Sequence, residues 1–294
     1  MPLLLALVLV AMMAVPALSM AAQPTVNLGT TSSFAILAGT TITNTGSTTV
    51  TGDIGLSPGT AFTGQASVTV NGAVHLTDAV ASQAQADLVT AYNDAAGRTP
   101  VTTVPTELGG TTLDPGVYDS SAGTFQITGT LTLDAHGDPN AVFIFQMSST
   151  LVTASDSRVN LINGARFCRV FWQVGSSATL GTNSRFVGHI FALTSIAAQT
   201  GATVQGQLLA RNGEVTLDSN TITNGVCGTV TPTPTPTPTP SPSGTSPSAP
   251  GLPTTGYPPG DGGSPWLLVT GVFAAGVTLL FAAWRLRAAS RRHN

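Results

Sequence analysis

The 294-residue sequence predicts a mainly β protein: a β-solenoid interrupted by one long α-helix, then a stalk and one C-terminal transmembrane helix. Three observations predict it. Short apolar alternations such as "FQITGTLTLD" and "AVFIFQM" recur between Gly, Asn and Asp, the period-2 signature of strands with one buried face. The stretch after Val174 repeats every 18 residues, as one coil of a solenoid would. From Trp266 to Trp284 nineteen residues carry no charge, just under 30 Å of helix at about 1.5 Å per residue.

The elements follow in order. Residues 1–21 read as a signal peptide. Leu3 to Val15 is apolar but too short to span comfortably, and Ala17-Leu18-Ser19 or Ser19-Met20-Ala21 offers the small residues that signal peptidase needs. No Lys or Arg precedes the run, so either the α-amino charge serves in its place or translation starts upstream. Residues 22–230 make the domain. Within it, Val80, Ala84, Leu88 and Tyr92 stand at four-residue spacing, which predicts a helix over about 78–96. Thr77 is its expected cap, Asp78 suits the first turn, and Gly97 ends it.

Residues 231–251 open with "TPTPTPTPTP". Such sequence cannot build a core and is expected to extend as polyproline II, about 3.1 Å per residue, a reach of roughly 65 Å. Leu252-Pro253-Thr254-Thr255-Gly256 comes next, then the apolar span at 266–284 and a basic tail at 285–294. Arg285, Arg287, Arg291 and Arg292 directly after the span place that end in the cytoplasm.

Between Ala22 and Gly251 twelve acidic residues face six arginines and no lysine, a formal charge of −6. That balance excludes nucleic acid and anionic membrane as partners, leaving the C-terminal span as the only expected membrane contact. Thr, Ser, Gly and Ala dominate, so the surface is weakly charged and rich in small hydroxyls. The two cysteines, Cys168 and Cys227, suit a disulfide better than a metal site in an exported protein, with buried free thiols as the alternative. Closing such a loop stabilises by about 4 kcal/mol in the chain-entropy account.

In register, the repeat reads "SSATLGTNSRFVGHIFAL", "SIAAQTGATVQGQLLARN" and "GEVTLDSNTITNG", the third coil one residue shorter. Alternation points Ala178, Leu180, Ile196, Ala198, Val215 and Leu217 inward and Thr179, Ala197 and Thr216 outward. Thr182, Thr200, Thr203 and Thr221 are expected to form a second file at the next corner.

Two resemblances extend this reading. The pentapeptide, span and basic tail together resemble the LPxTG sorting signal of Gram-positive surface proteins. The resemblance implies cleavage between Thr255 and Gly256 by a sortase and transfer of Thr255 to peptidoglycan, leaving the protein on the extracellular face, anchored to the cell wall or the membrane. The domain resembles the microbial ice-binding-protein family through "VNLGTTSSFAILAGTTITNTGSTTVTGDIGLSPG", "AYNDAAGRT", "ELGGTTLDPGVYDSS", "VFWQVGSSATLGTNSRFVGHIFALTSI" and "LLARNGEVTLDSNTIT". These cover nearly all of Thr25 to Cys227. The resemblance implies a discontinuous right-handed β-solenoid with the helix packed alongside, and a disulfide between Cys168 and Cys227.

It also implies a monomer that adsorbs to ice through a flat Thr/Ser/Ala-rich face, inhibiting recrystallisation or tethering the cell to ice. Strand geometry supplies a grid of about 6.5–7 Å along strands and 4.7–4.9 Å between coils. The stiff χ1 of Thr keeps such a grid regular. The candidate ice contacts are Thr40, Thr179, Thr182, Ala197, Thr200, Thr203, Thr216 and Thr221. "TGAT" at Thr200 to Thr203 resembles a motif of some family members, and Thr40 extends a face by the family's layout. Gln199, Glu214, Asp218 and Arg185 fall near these files, and no strict T-x-T array is found, so moderate or weak thermal hysteresis is expected. The alternative is a structural or adhesin protein of the wall that does not bind ice.

An enzyme is not expected, nor any cofactor or metal. The tightest acid cluster, Asp134, His136 and Asp138 in "LDAHGDPNAVF", reads as a turn. His75 and His189 stand alone and read as structural.

Overall fold

The computed structural model describes residues 23–225 and Cys227. The expected signal peptide, stalk, sorting pentapeptide, span and basic tail lie outside the described residues.

The chain winds through three sides in turn. Phe34–Ala38, Thr41–Thr45 and Thr48–Thr51 lie on the first, second and third sides, and Asp53–Leu56, Ala61–Thr63 and Val68–Asn71 repeat the circuit. All pairings between these strands and their successors are parallel. The 18-residue register is observed: Phe186 pairs with Val204, Gly188 with Gly206, and Val204 with Ile222.

Arg185–Ala192 and Thr203–Ala210 each turn the corner from third side to first without a break. Gly188 and Gly206 make the bends, with φ of 111° and 146°. A Cβ on Gly206 would stand 1.9 Å from the Gly188 carbonyl oxygen, so stacked coils require glycine at both places.

The stacking order is discontinuous. On the second side it runs 125–127, 151–153, 178–180, 196–198, 215–218, 41–45, 61–63. The amino-terminal coils therefore sit on the last coil, with Ile42 paired to Val215 and Thr49 to Thr221.

The helix, Ala79–Ala96, joins the two ends of this stack. Its 18 residues span about 27 Å, close to six coil spacings of about 4.8 Å. The expected cap was one residue off. Asp78, not Thr77, accepts the Ala81 N–H at 2.8 Å, while Thr77 takes a left-handed φ of 56°. Val80 points outward, 46 % exposed, and the buried stripe is Ala81, Ala84, Leu88, Ala91, Tyr92 and Ala95. Gly97 ends the helix as expected, though in a right-handed conformation.

This stripe packs on Phe34, Leu37, Ile144, Phe171, Phe191 and Leu209 of the first side. Strands there are covered from both faces, which is why "FAILA" and "VFWQV" are buried without alternation, Gln173 satisfying its amide by donating to the Tyr92 hydroxyl at 2.8 Å. The interior is anchored by Trp172, stacked on Phe145 at 3.9 Å between centroids and donating its Nε1–H to the Val187 carbonyl at 3.0 Å. Cys168 and Cys227 are bonded, their Cα atoms 6.1 Å apart.

Candidate functional site

The helix covers the first side, so the second and third sides meet solvent. The second is a seven-stranded parallel sheet, and its register sets every side chain. Phe125, Leu151, Ala178, Ile196, Val215 and Ile42 point into the core and are buried. Between them and the next inward row runs one outward file: Gln126, Val152, Thr179, Ala197, Thr216, Thr43 and Thr63. The sequence places Thr179, Ala197 and Thr216 in this file, and the structure brings them together as adjacent residues.

The file continues where sequence order does not lead. Thr43 pairs with Thr216, and Thr63 follows. Thr40, the expected extension, belongs to the right coil but sits at the bend before the strand, three residues short of Thr43. Thr41, Thr43 and Thr45 all point outward, since Ile42 and Asn44 between them are buried. The strand is a T-x-T-x-T array, contrary to the expectation that none exists. Its alternation is visible in "TITNT", but its place beside Thr216 is not. Thr179, Ala197, Thr216 and Thr43 are each only partly exposed, being flanked by neighbours of similar height.

The charged groups expected to roughen this side are tied down at its edges. Thr41 donates its hydroxyl to Glu214 Oε2 at 3.3 Å. Asp218 Oδ2 accepts the Thr200 hydroxyl, and its Oδ1 accepts from Ser219 at 3.0 Å. Gln199 remains exposed beside them.

The expected corner file does not exist as one row. Thr182 and Thr200 lie at the bend between the second and third sides, whereas Thr203 and Thr221 are paired strand residues of the third side. The third coil is indeed a residue shorter there: three residues separate Leu217 from Thr221, against four between Ala198 and Thr203. The third-side file runs Thr130, Arg158, Arg185, Thr203, Thr221, Thr49 and Thr69, all exposed. Beside it stand Asn160, Gln205, Thr223, Thr51 and Asn71.

The acid cluster forms a turn. Asp134 accepts the His136 N–H and Asp138 accepts the Asn140 N–H, both at 2.8 Å. His136 also meets Asp114 at 2.7 Å, and that hydrogen bond holds its pKa above the ordinary 6.5. His189 is buried against Phe171, ring centroids 5.3 Å apart, and burial pushes its pKa down to about 4. Among the described residues no group of three or more His, Cys, Asp or Glu is placed to hold a metal.

Comparison with known proteins now bears on this geometry. Residues 36–223 match the Ice-binding-like family. An ice-binding protein of Nostoc sp. (strain HG1) is 45 % identical over 199 residues, which are 67 % of this chain and 73 % of that protein. The crystal structure of an ice-binding protein from an Antarctic biological consortium aligns with a TM-score of 0.67 at 46 % identity, covering 68 % of this chain and 91 % of the other. That of an ice-binding protein from the Antarctic ascomycete Antarctomyces psychrotrophicus aligns at 0.66 and 42 %, covering 69 % of this chain and all of the other. The chain belongs to the Ice-binding-like family.

Proposed function

We propose that this domain binds ice through the second side of the solenoid, with no catalytic step. One observation carries the proposal: Thr179, Ala197, Thr216, Thr43 and Thr63 stand in one register on a single sheet. Adjacent coils set them about 4.8 Å apart, and Thr41 and Thr45 add a second direction at about 6.5–7 Å. Methyl groups resist ordinary hydration while hydroxyls hold water at fixed positions. A rigid grid of both offers ordered water a surface that matches a crystal better than it matches liquid. The relatives named as ice-binding proteins support the same reading.

We propose further that the domain acts outside the cell as a monomer, exported through residues 1–21 and joined to peptidoglycan at Thr255 after cleavage of "LPTTG". On that reading the span at 266–284 is a temporary stop, and the stalk holds the domain away from the wall.

Recrystallisation of polycrystalline ice tests the first proposal. Micromolar domain should hold grain size nearly constant over hours, and coarsening at the buffer rate would refute ice binding. Mass spectrometry of wall digests tests the second. A peptide ending in Thr255 and linked to a peptidoglycan stem is expected, and a chain still carrying residues 257–294 would refute sorting.

A further inference from the structure

We propose that the Cys168–Cys227 disulfide is a mechanical clamp that routes tension from the C-terminal stalk around the coils bearing the ice-facing file. The inference rests on the proposed tether and ice face, and it follows from where the two cysteines lie in the stack.

Any pull on the stalk reaches the folded domain at residue 227. Without the disulfide, the pull meets Asn224, which donates to the Thr51, Ser32 and Phe34 carbonyls, and then the strand Thr221–Thr223. That strand pairs at only three positions on either side, with Thr203–Gln205 and with Thr49–Thr51, and two of its three residues are exposed. Behind it come Val215–Asp218 and Ile196–Ala198, the strands of Thr216 and Ala197.

Losing the last coil would do more than shorten the stack. The amino-terminal coils rest on it and on the coil before it through the Ile42–Val215, Thr49–Thr221 and Ile36–Leu208 pairs. The most exposed terminal strand is thus inserted between earlier and later coils, where its removal divides the domain.

The disulfide moves the point of entry. Cys168 lies in the turn Phe167–Arg169, directly before Val170–Val174. That strand is buried at every position, pairs at five positions with Phe143–Met147 and at four with His189–Ala192, and holds Trp172 in the core. The bond spans 59 residues of sequence, and the segment so bypassed contains all three 18-residue repeats with Thr179, Ala197 and Thr216. A pull on the stalk then enters the fold at Cys168, at the foot of that buried strand, and the three-residue strand Thr221–Thr223 is no longer the first it meets.

The domain can be tested without the rest of the chain, since a solved relative that aligns over its full length is this domain alone. A domain extended through residue 251 would be pulled between the stalk and an azide side chain replacing that of Val152, which is on the second side and outside the disulfide loop. The oxidised protein should yield at a force at least twofold higher than the same protein in reductant. Reduction should also release about 200 Å more chain, as expected for the 59 residues. Equal rupture forces in the two states would overturn the clamp, whatever the released length. Using reductant on the native sequence keeps the test valid if Cys168→Ser/Cys227→Ser fails to fold.

Beads carrying the domain by its stalk, held on ice under flow, give the second readout. Reduction should lower the flow that detaches half the beads at least twofold, while recrystallisation inhibition by untethered reduced domain stays unchanged. Equal detachment flow would also overturn the clamp. Beads that never attach to ice would refute ice binding, and the pulling experiment would still decide the clamp.

Discussion

The two solvent-facing sides carry threonines in nearly equal measure, yet they differ as surfaces. On the third side Thr203, Thr221, Thr49 and Thr69 form an unbroken exposed row. That row runs straight into Arg185 and Arg158, which pair across adjacent strands, and it is bordered by Gln205, Asn160 and Asn71. On the second side the row is shorter in hydroxyls, with Ala197 in its middle and Val152 and Gln126 at one end, but it contains no charged residue and its acids are drawn to the edges by Thr41 and Thr200. Long charged side chains stay hydrated and mobile and keep their neighbours wet. The comparison teaches that the number of threonines does not separate the two sides, whereas side-chain size and the placement of charge do.

The largest expected effect breaks the comparison at its centre. Thr179→Tyr with Thr216→Tyr should raise the concentration needed to stop recrystallisation at least tenfold, while Thr203→Tyr with Thr221→Tyr should change it less than twofold. Equal losses from both pairs would make the two sides equivalent.

Next is the core that both sides share. Phe145→Ala removes the ring stacked on Trp172 and should cost about 3–5 kcal/mol. Calorimetry should show one lowered transition, since the coils unfold together. Two separate transitions would mean that the sides do not depend on a common core.

A smaller effect comes from His189. Its folded pKa, about 4, lies below the ordinary 6.5, so the unfolded chain takes up the proton first. This group leaves stability intact above pH 6.5 and removes up to about 3 kcal/mol as pH falls towards 4. Thermal midpoints between pH 7 and 4.5 should fall in the native protein and stay flatter in His189→Phe. Parallel curves would assign the acid sensitivity to other groups. Ice activity should persist over that range wherever the domain remains folded.

The smallest change sharpens the flat side. Val152→Thr extends the outward file by one hydroxyl, and Glu214→Ser removes an edge carboxylate. Together they should raise thermal hysteresis by about twofold or less without moving the melting temperature by more than a few degrees. A loss of hysteresis would count against the file as the contact surface.

Much of this was legible in the sequence, and what was not has a physical cause. The period is local, 18 residues from Ala178 to Ile196 and 19 from Ile196 to Val215, and alternation within each strand placed the inward and outward residues from Ala178 to Leu217 correctly. Helix phase was read from four-residue spacing, which drifts by about 40° per step on a 3.6-residue helix. Ala84, Leu88 and Tyr92 are buried as that spacing implies, whereas at the first turn the row has drifted off the packed face and Ala81 is buried in place of Val80. The corner threonines were misgrouped because a bend carries no period: Thr200 and Thr203 are three residues apart but face different sides. Thr43 and Thr63 escaped notice for a deeper reason. Thr41 meets Glu214 across 173 residues of sequence. Alternation within "TITNT" reveals which residues point outward but not which strand lies beside them. A family resemblance pointed to the coil that continues the file, through Thr40, but the residue that stands in the file is Thr43.

The most direct test of the central claim is ice-plane affinity on a growing single crystal. Fluorescently labelled domain, Thr216→Tyr and Thr221→Tyr would be compared at equal concentration. The account predicts that the native domain and Thr221→Tyr label the same planes and that Thr216→Tyr is swept into the liquid. Labelling retained by Thr216→Tyr and lost by Thr221→Tyr would contradict it and move the ice face to the third side.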